Sequence, residues 1–166
     1  MLRLEGKKFS LMEEDTLGSQ FWQKHINQDE IRFGDLFSRL VSQYPDRKDD
    51  LLCAKPLIHY CLNSVTITQS IWNAFFQLFG PLDNDLSFIS RLEDLFSIDC
   101  FTGYTSAQDA DKIVQNQPKG SFILRFSTTQ TSFVITFRDE ITKHIRYKNE
   151  NSRTYLNKNE LRSKTA

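Results

Sequence analysis

The sequence predicts an α+β chain in two parts, and three observations carry that prediction. Apolar residues recur at the three-to-four spacing of helices from Phe21 to about Phe96. After Asp99 the period changes to alternation in three short runs. One of these runs, Phe122 to Phe126, carries an arginine, Arg125, in its middle. The 166 residues suffice for one compact domain or two small ones. The expected division is a polar lead-in over 1–20, a helical module over 21–98 and an α+β domain over 99–166.

Composition removes several classes of function. With 21 basic and 21 acidic side chains the net charge is zero, so the broad basic surface that nonspecific nucleic-acid or acidic-membrane binding requires is not expected. No stretch approaches the length and apolarity of a membrane span, and the N-terminal Met1 to Asp15 lacks the pattern of a secretory signal. Cys53, Cys61 and Cys100 form no Cys-x-x-Cys pair and have no histidine at zinc spacing, so free thiols in a reducing cytosol are expected, with no metal and no cofactor. The 14 phenylalanines exceed what an ordinary core of this size uses.

Element by element, Phe21, Trp22, His25 and Ile26 fall on one face of a first helix. Asp35 reads as the cap of a second, whose Leu36, Phe37, Leu40 and Val41 form a buried stripe. Tyr44 to Asp50 breaks it. A third helix spans Leu51 to Leu62, with Pro56 near its start or kinking it. Val65 to Ile67 is extended, and Thr68 caps a helix from Gln69 to Phe79 that Gly80-Pro81 ends. A further helix covers Asp85 to Phe96. Ser106 to Asp109 has capping-box spacing and opens a helix to about Gln115. Strands follow over Ser121 to Ser127, Ser132 to Phe137 and Ile141 to Tyr147, an antiparallel meander.

Alternation places Phe122, Leu124 and Phe126 on one face of the first strand and Ile123, Arg125 and Ser127 on the other. A guanidinium at such a position needs partners, because an uncompensated buried charge costs several kcal/mol. An ion pair with Asp109 or Asp111 would serve, as would an edge position from which the side chain reaches water. A bound anion is the third answer. Ser127-Thr128-Thr129-Gln130-Thr131 follows directly, and its hydroxyls and backbone N–H groups can ring an anion while the guanidinium supplies two parallel donors. That donor set suits a phosphate ester better than a carboxylate. His144 and Arg146 share a face of the third strand, where they are either pocket residues or ordinary exposed side chains; Ile145 and Tyr147 face the other way.

The segment Gly120-Ser121-Phe122-Ile123-Leu124-Arg125-Phe126-Ser127 resembles the arginine signature of Src-homology-2 (SH2) domains, Gly-Ser/Thr-Phe-Leu-x-Arg-x-Ser. The resemblance covers roughly residues 101–156 and implies a central antiparallel sheet flanked by helices. It assigns phosphotyrosine binding to Arg125, phosphate contacts to Ser127 and to Thr128 or Thr129, and the pocket wall to His144. Two departures stand out. The helix start, Thr105 to Ala110, lacks the second arginine of many members, leaving Arg146 or the hydroxyls of Ser106 and the loop to compensate. Only 19 residues follow Tyr147, so the family's second helix is expected to be reduced or absent; Ile145 and Tyr147 are the candidates for reading peptide sequence.

Phe21-Trp22-Gln23-Lys24-His25 and Ile67 to Leu82 resemble the EF-hand-like segment of Cbl-type tyrosine-kinase-binding domains, which packs on an SH2 fold. A STAT-type linker before an SH2 domain is the second resemblance. The loop Tyr60 to Ser70 contains no Asp or Glu, and Asn27 to Ile31 is too short for a twelve-residue cage, so calcium binding is not expected. The expected function is a noncatalytic, cytoplasmic signalling adaptor whose partners are tyrosine-phosphorylated proteins or peptides. The alternatives are a scaffold with a vestigial or phosphorylation-independent site, or a pathogen effector in a host cytosol. None of His25, His59 or His144 lies in a catalytic motif.

Overall fold

The computed structural model describes residues 16–128 and 132–147. The expected helix at Asn157 to Arg162, and with it the size of a second C-terminal helix, lies outside the described residues. The chain divides into two units, residues 1–94 and 95–166, each with its own internal contacts.

The N-terminal unit is two helix–loop–strand–helix repeats. α1 (Thr16–Phe21) runs into a wider π-helical turn (Trp22–Ile26), followed by β1 (Glu30–Arg32) and α2 (Phe33–Gln43). A 3₁₀ turn (Pro45–Arg47) leads to α3 (Lys48–Leu62), β2 (Thr66–Thr68) and α4 (Gln69–Phe79). α5 (Ser87–Phe96) follows, and the division between the units falls near its end. β1 and β2 pair antiparallel with Ile31 opposite Ile67, both buried, which ties the two loops together. Asn27 and Asn63 end the preceding helices in left-handed conformation, which asparagine tolerates at little cost.

Trp72 anchors this core. It is 1% exposed, stacks on Phe21 at 5.4 Å, meets the edge of Phe76 at 4.6 Å and donates from Nε1 to the Gly18 carbonyl at 3.0 Å. Phe75 and Phe76 both make edge contacts with Phe88. A Cβ at Gly18 would lie 3.4 Å from the Phe76 ring and 3.7 Å from Trp72 Nε1, so α1 approaches α4 to van der Waals distance at this residue. Residues 16–20 therefore belong to the helical unit and are not a loose lead-in; residues 1–15 lie outside the described part.

Three helix starts differ from the sequence expectation. α2 begins at Phe33, and Asp35 lies in its first turn, where its carboxylate complements the positive end of the helix dipole, instead of capping it. α3 begins at Lys48 because Asp49 and Asp50 favour a first turn, and Arg47 pairs with Asp50 at 2.6 Å. Pro56 consequently sits inside α3, where its missing N–H removes one ladder bond. α5 starts at Ser87, whose N–H donates to Asp83 Oδ1 at 2.8 Å. α4 has the expected limits, with Thr68 Oγ1 accepting from Ile71 N at 3.3 Å.

The C-terminal unit is one four-stranded sheet and a helix: β3 (Phe101–Tyr104), α6 (Ala107–Gln115), β4 (Phe122–Phe126), β5 (Phe133–Arg138) and β6 (Thr142–Tyr147). Strand order is β3-β4-β5-β6. The β4-β5-β6 meander is antiparallel as expected, but β3 adds a parallel edge beside β4 that local pattern did not reveal. Phe101-Thr102-Gly103-Tyr104 is too short and irregular to alternate clearly. Gly120 turns at φ +90°, and its N–H donates to the Arg138 carbonyl to start the β4-β5 pairing. One sheet face carries an aromatic cluster in which Phe126 contacts Phe101, Tyr104 and Phe133. The other face meets α6 through Ile123, Ala110 and Val114.

Two measurements test this packing. Trp72→Ala should cost about 3–5 kcal/mol of unfolding free energy in a denaturant titration, because it removes a stacked ring and orphans the Gly18 carbonyl. Alkylation with iodoacetamide near pH 8 should label exposed Cys53 first and Cys61 last, since burial pushes the Cys61 thiol up to about 12.

Candidate anion-binding site

Arg125 is central in β4, on the α6 side of the sheet, and 5% exposed. Pairing sets its surroundings. Arg125 lies opposite Val134, which lies opposite Arg146; one step along, Ile123, Thr136 and His144 form the next row. Because side chains alternate, Arg125, Thr136, His144 and Arg146 share one face. Two cations and an imidazole therefore converge where α6 covers the sheet.

The guanidinium is held from the protein side by neutral acceptors. Its Nε donates to Thr136 Oγ1 at 3.1 Å and its Nη1 to the Thr105 carbonyl at 2.9 Å. Among the described residues it makes no ion pair, so neither Asp109 nor Asp111 is the simple salt-bridge partner that sequence allowed. Asp109 pairs instead with Ser106 and Lys112. Burial, and after it the positive charge of Arg146, pull the Arg125 guanidinium below its ordinary value, and Asp111 pulls it back up. Arginine keeps its proton despite such a shift, so the result is a buried, incompletely compensated positive charge.

His144 touches both sides of the site. Its Nδ1 lies 2.8 Å from Thr136 Oγ1 and its Nε2 lies 2.9 Å from Asp111 Oδ1. That oxygen is buried and has no hydrogen-bond partner of good geometry among the described residues, so His144 Nε2 faces it closely without an ideal bond.

At the loop end, Ser127 is 6% exposed and its N–H donates to the Ser132 carbonyl at 2.9 Å, closing the base of the β4-β5 connection. Thr128 is exposed beside it. Thr129 lies outside the described residues. The Ser106 hydroxyl is engaged at the start of α6, accepting from Asp109 N at 3.1 Å and donating to Asp109 Oδ2 at 2.9 Å; it does not reach into the Arg125 group. Ile145 is 40% exposed on the opposite face, and the Tyr147 side chain lies outside the described part.

Thr136 and the Thr105 carbonyl are the contacts sequence reasoning left out. Thr136 was readable as a hydroxyl among Val134, Ile135 and Phe137, but placing it beneath Arg125 requires the β4-β5 register. A backbone carbonyl carries no sequence signal.

Comparisons with known proteins bear on the domain and the fold. Residues 100–165 match the family model of the SH2 domain. The C-terminal unit is an SH2 domain. Among solved structures the chain is similar to one described as an inactive choanoflagellate E3 ubiquitin ligase Cbl TKB, with a TM-score of 0.58 and 12% identity. The match covers 80% of this chain and 42% of that one, so it reaches into both units while spanning less than half of the other chain. A sequence search of curated proteins gives no match. SH2 domains are protein-interaction modules for phosphotyrosine. No described helix is long and apolar enough to cross a membrane.

The Ser106 geometry gives a direct test of the SH2 helix. Ser106→Ala should lower stability by about 1 kcal/mol in equilibrium unfolding, as for other lost N-caps. A change below ~0.3 kcal/mol would mean that the hydroxyl does not cap α6.

Proposed function

We propose that the chain is a noncatalytic adaptor that recognises phosphorylated tyrosine in partner proteins, with Arg125 as the phosphate ligand and His144 and Arg146 at the pocket wall. One observation supports this reading above the others: a nearly buried guanidinium, fixed from behind by neutral acceptors and without an ion pair among the described residues. Among the described residues Nη2 and the remaining Nη1 hydrogen have no partner, and a dianion's two oxygens suit adjacent guanidinium nitrogens. Ser127 and Thr128 stand at the mouth of the loop, with Thr129 next in sequence; the Ser127 N–H is bonded to the Ser132 carbonyl, so the proposed loop donors are the hydroxyls and the N–H groups that follow it. On the other face Ile145, with Tyr147, would touch the peptide beyond the phosphotyrosine. The module acts in the cytosol, or in a host cytosol if the chain is a secreted effector.

A degenerate phosphotyrosyl peptide library should bind and its unphosphorylated counterpart should not. Arg125→Ala should weaken the phosphorylated form at least ~100-fold, about 2.7 kcal/mol. Arg125→Lys should recover little, because a point charge cannot replace a planar fork. Undiminished binding by Arg125→Ala would overturn the site.

A second reading is a scaffold that binds independently of phosphorylation. It is favoured by the absence of an arginine in Thr105 to Ala110 and by the Asp111 carboxylate beside the site, which opposes an incoming dianion. It requires equal affinity for both peptide forms, so the same titration decides.

The helical unit is proposed to be structural and calcium-free. If Ile31 and Ile67 mark equivalent positions of paired loops, the place of the bidentate glutamate in the second loop falls on Ile71, and Tyr60 stands at the first. Millimolar calcium against EDTA should shift the melting temperature by less than ~1 °C; a rise of several degrees would show a bound ion.

A further inference from the structure

We propose that Thr136 is a positioning residue of the anion site: its hydroxyl holds the Nε side of Arg125 and at the same time fixes His144 as the tautomer protonated on Nε2. This rests on the anion-site reading above for its effect on binding, while the tautomer follows from geometry alone.

The argument is a count of protons. Thr136 is fully buried, so its hydroxyl has no water to fall back on. Arg125 Nε is a donor only, and at 3.1 Å it occupies one lone pair of Oγ1. The hydroxyl proton still needs an acceptor, and His144 Nδ1, at 2.8 Å, is the acceptor available among the described residues. Nδ1 must then be unprotonated, which leaves the ring proton on Nε2. That nitrogen faces Asp111 Oδ1 at 2.9 Å, where a carboxylate favours a proton. The direction of the chain is therefore set: Arg125 Nε–H to Thr136, Thr136 O–H to His144 Nδ1, and His144 Nε2–H toward Asp111. A proton on Nδ1 would leave the buried Thr136 hydroxyl without an acceptor, which proteins rarely accept.

The consequence for binding is orientational. With Nε held by Thr136 and Nη1 by the Thr105 carbonyl, the guanidinium plane is fixed before any ligand arrives, and its remaining N–H groups share one orientation. Pre-ordering a long side chain in this way removes part of the entropy lost on binding. Val134 and Thr136 lie two residues apart on the same face of β5, the first in register between Arg125 and Arg146 and the second bonded to Arg125.

The experiment uses the full chain, with phenyl phosphate as probe so that peptide sequence plays no part. Long-range ¹H–¹⁵N correlation of the free protein should show His144 protonated on Nε2 and not on Nδ1. Thr136→Val, which keeps shape and removes the hydroxyl, should bind phenyl phosphate about tenfold more weakly and lose the tautomer preference. Thr136→Ser should restore both to within about twofold. An Nδ1-protonated ring, or phenyl phosphate affinity unchanged or tighter in Thr136→Val, would overturn the proposal. Should the valine variant fail to fold, the wild-type tautomer and the serine variant decide. Absence of phenyl phosphate binding by the wild type is a separate failure, that of the anion-site reading, and leaves the tautomer result standing.

Discussion

A guanidinium inside a β-sheet is the constraint around which the C-terminal unit is arranged. Burial makes the charge expensive, and the sheet cannot supply an acceptor from a strand ladder whose N–H and C=O groups are already paired. The neighbouring elements answer this: a hydroxyl from β5, the carbonyl that precedes α6 and a carboxylate on α6 acting at a distance. None of these neutralises the charge with a direct ion pair. The arrangement is stable enough to hold the side chain in place, yet leaves it a positive charge to share. A site that must discriminate a phosphorylated from an unphosphorylated tyrosine needs that combination, since full neutralisation would remove the discrimination and loose tethering would waste it.

Asp111 complicates the electrostatics. Its carboxylate lies against His144 and offsets part of the field from Arg125 and Arg146. Together with the missing base at the start of α6, it leaves the site less positive than the arginine signature alone implies. The two features act in the same direction, on the strength of phosphate attraction. Rank among phosphopeptides would be decided elsewhere, on the face that carries Ile145.

The helical unit solves a different problem with the same kind of side chain. Its two loops are joined by a three-residue strand pair, and the helices close over an aromatic core centred on Trp72. On the proposed calcium-free reading, with Ile31 and Ile67 at equivalent loop positions, Ile71 stands where an ion-binding loop needs a carboxylate, and apolar packing would carry the load that metal coordination bears in such loops. The abundance of phenylalanine follows: one set of rings fills this core, and another fills the sheet face around Phe126.

The sequence by itself determined the change from helical to alternating period, the limits of α4, the cap of α6, the meander and the identity of Arg125 as the exceptional residue. Each depends on neighbours within a few positions, so local pattern carries it. The parallel strand β3, the early starts of α2 and α3, and the place of Gly18 were not legible in that way. They depend on what a segment pairs with or packs against far along the chain: Phe101 against Leu124, Gly18 against Trp72 and Phe76. The same limit applies at the site. Sequence offered Asp109 and Asp111 equally as partners for Arg125 and gave no reason to choose Thr136. Only the register of β4 on β5 and of β5 on β6, which brings residues 125, 136 and 144 onto one face, decided that a hydroxyl and not a carboxylate holds the arginine.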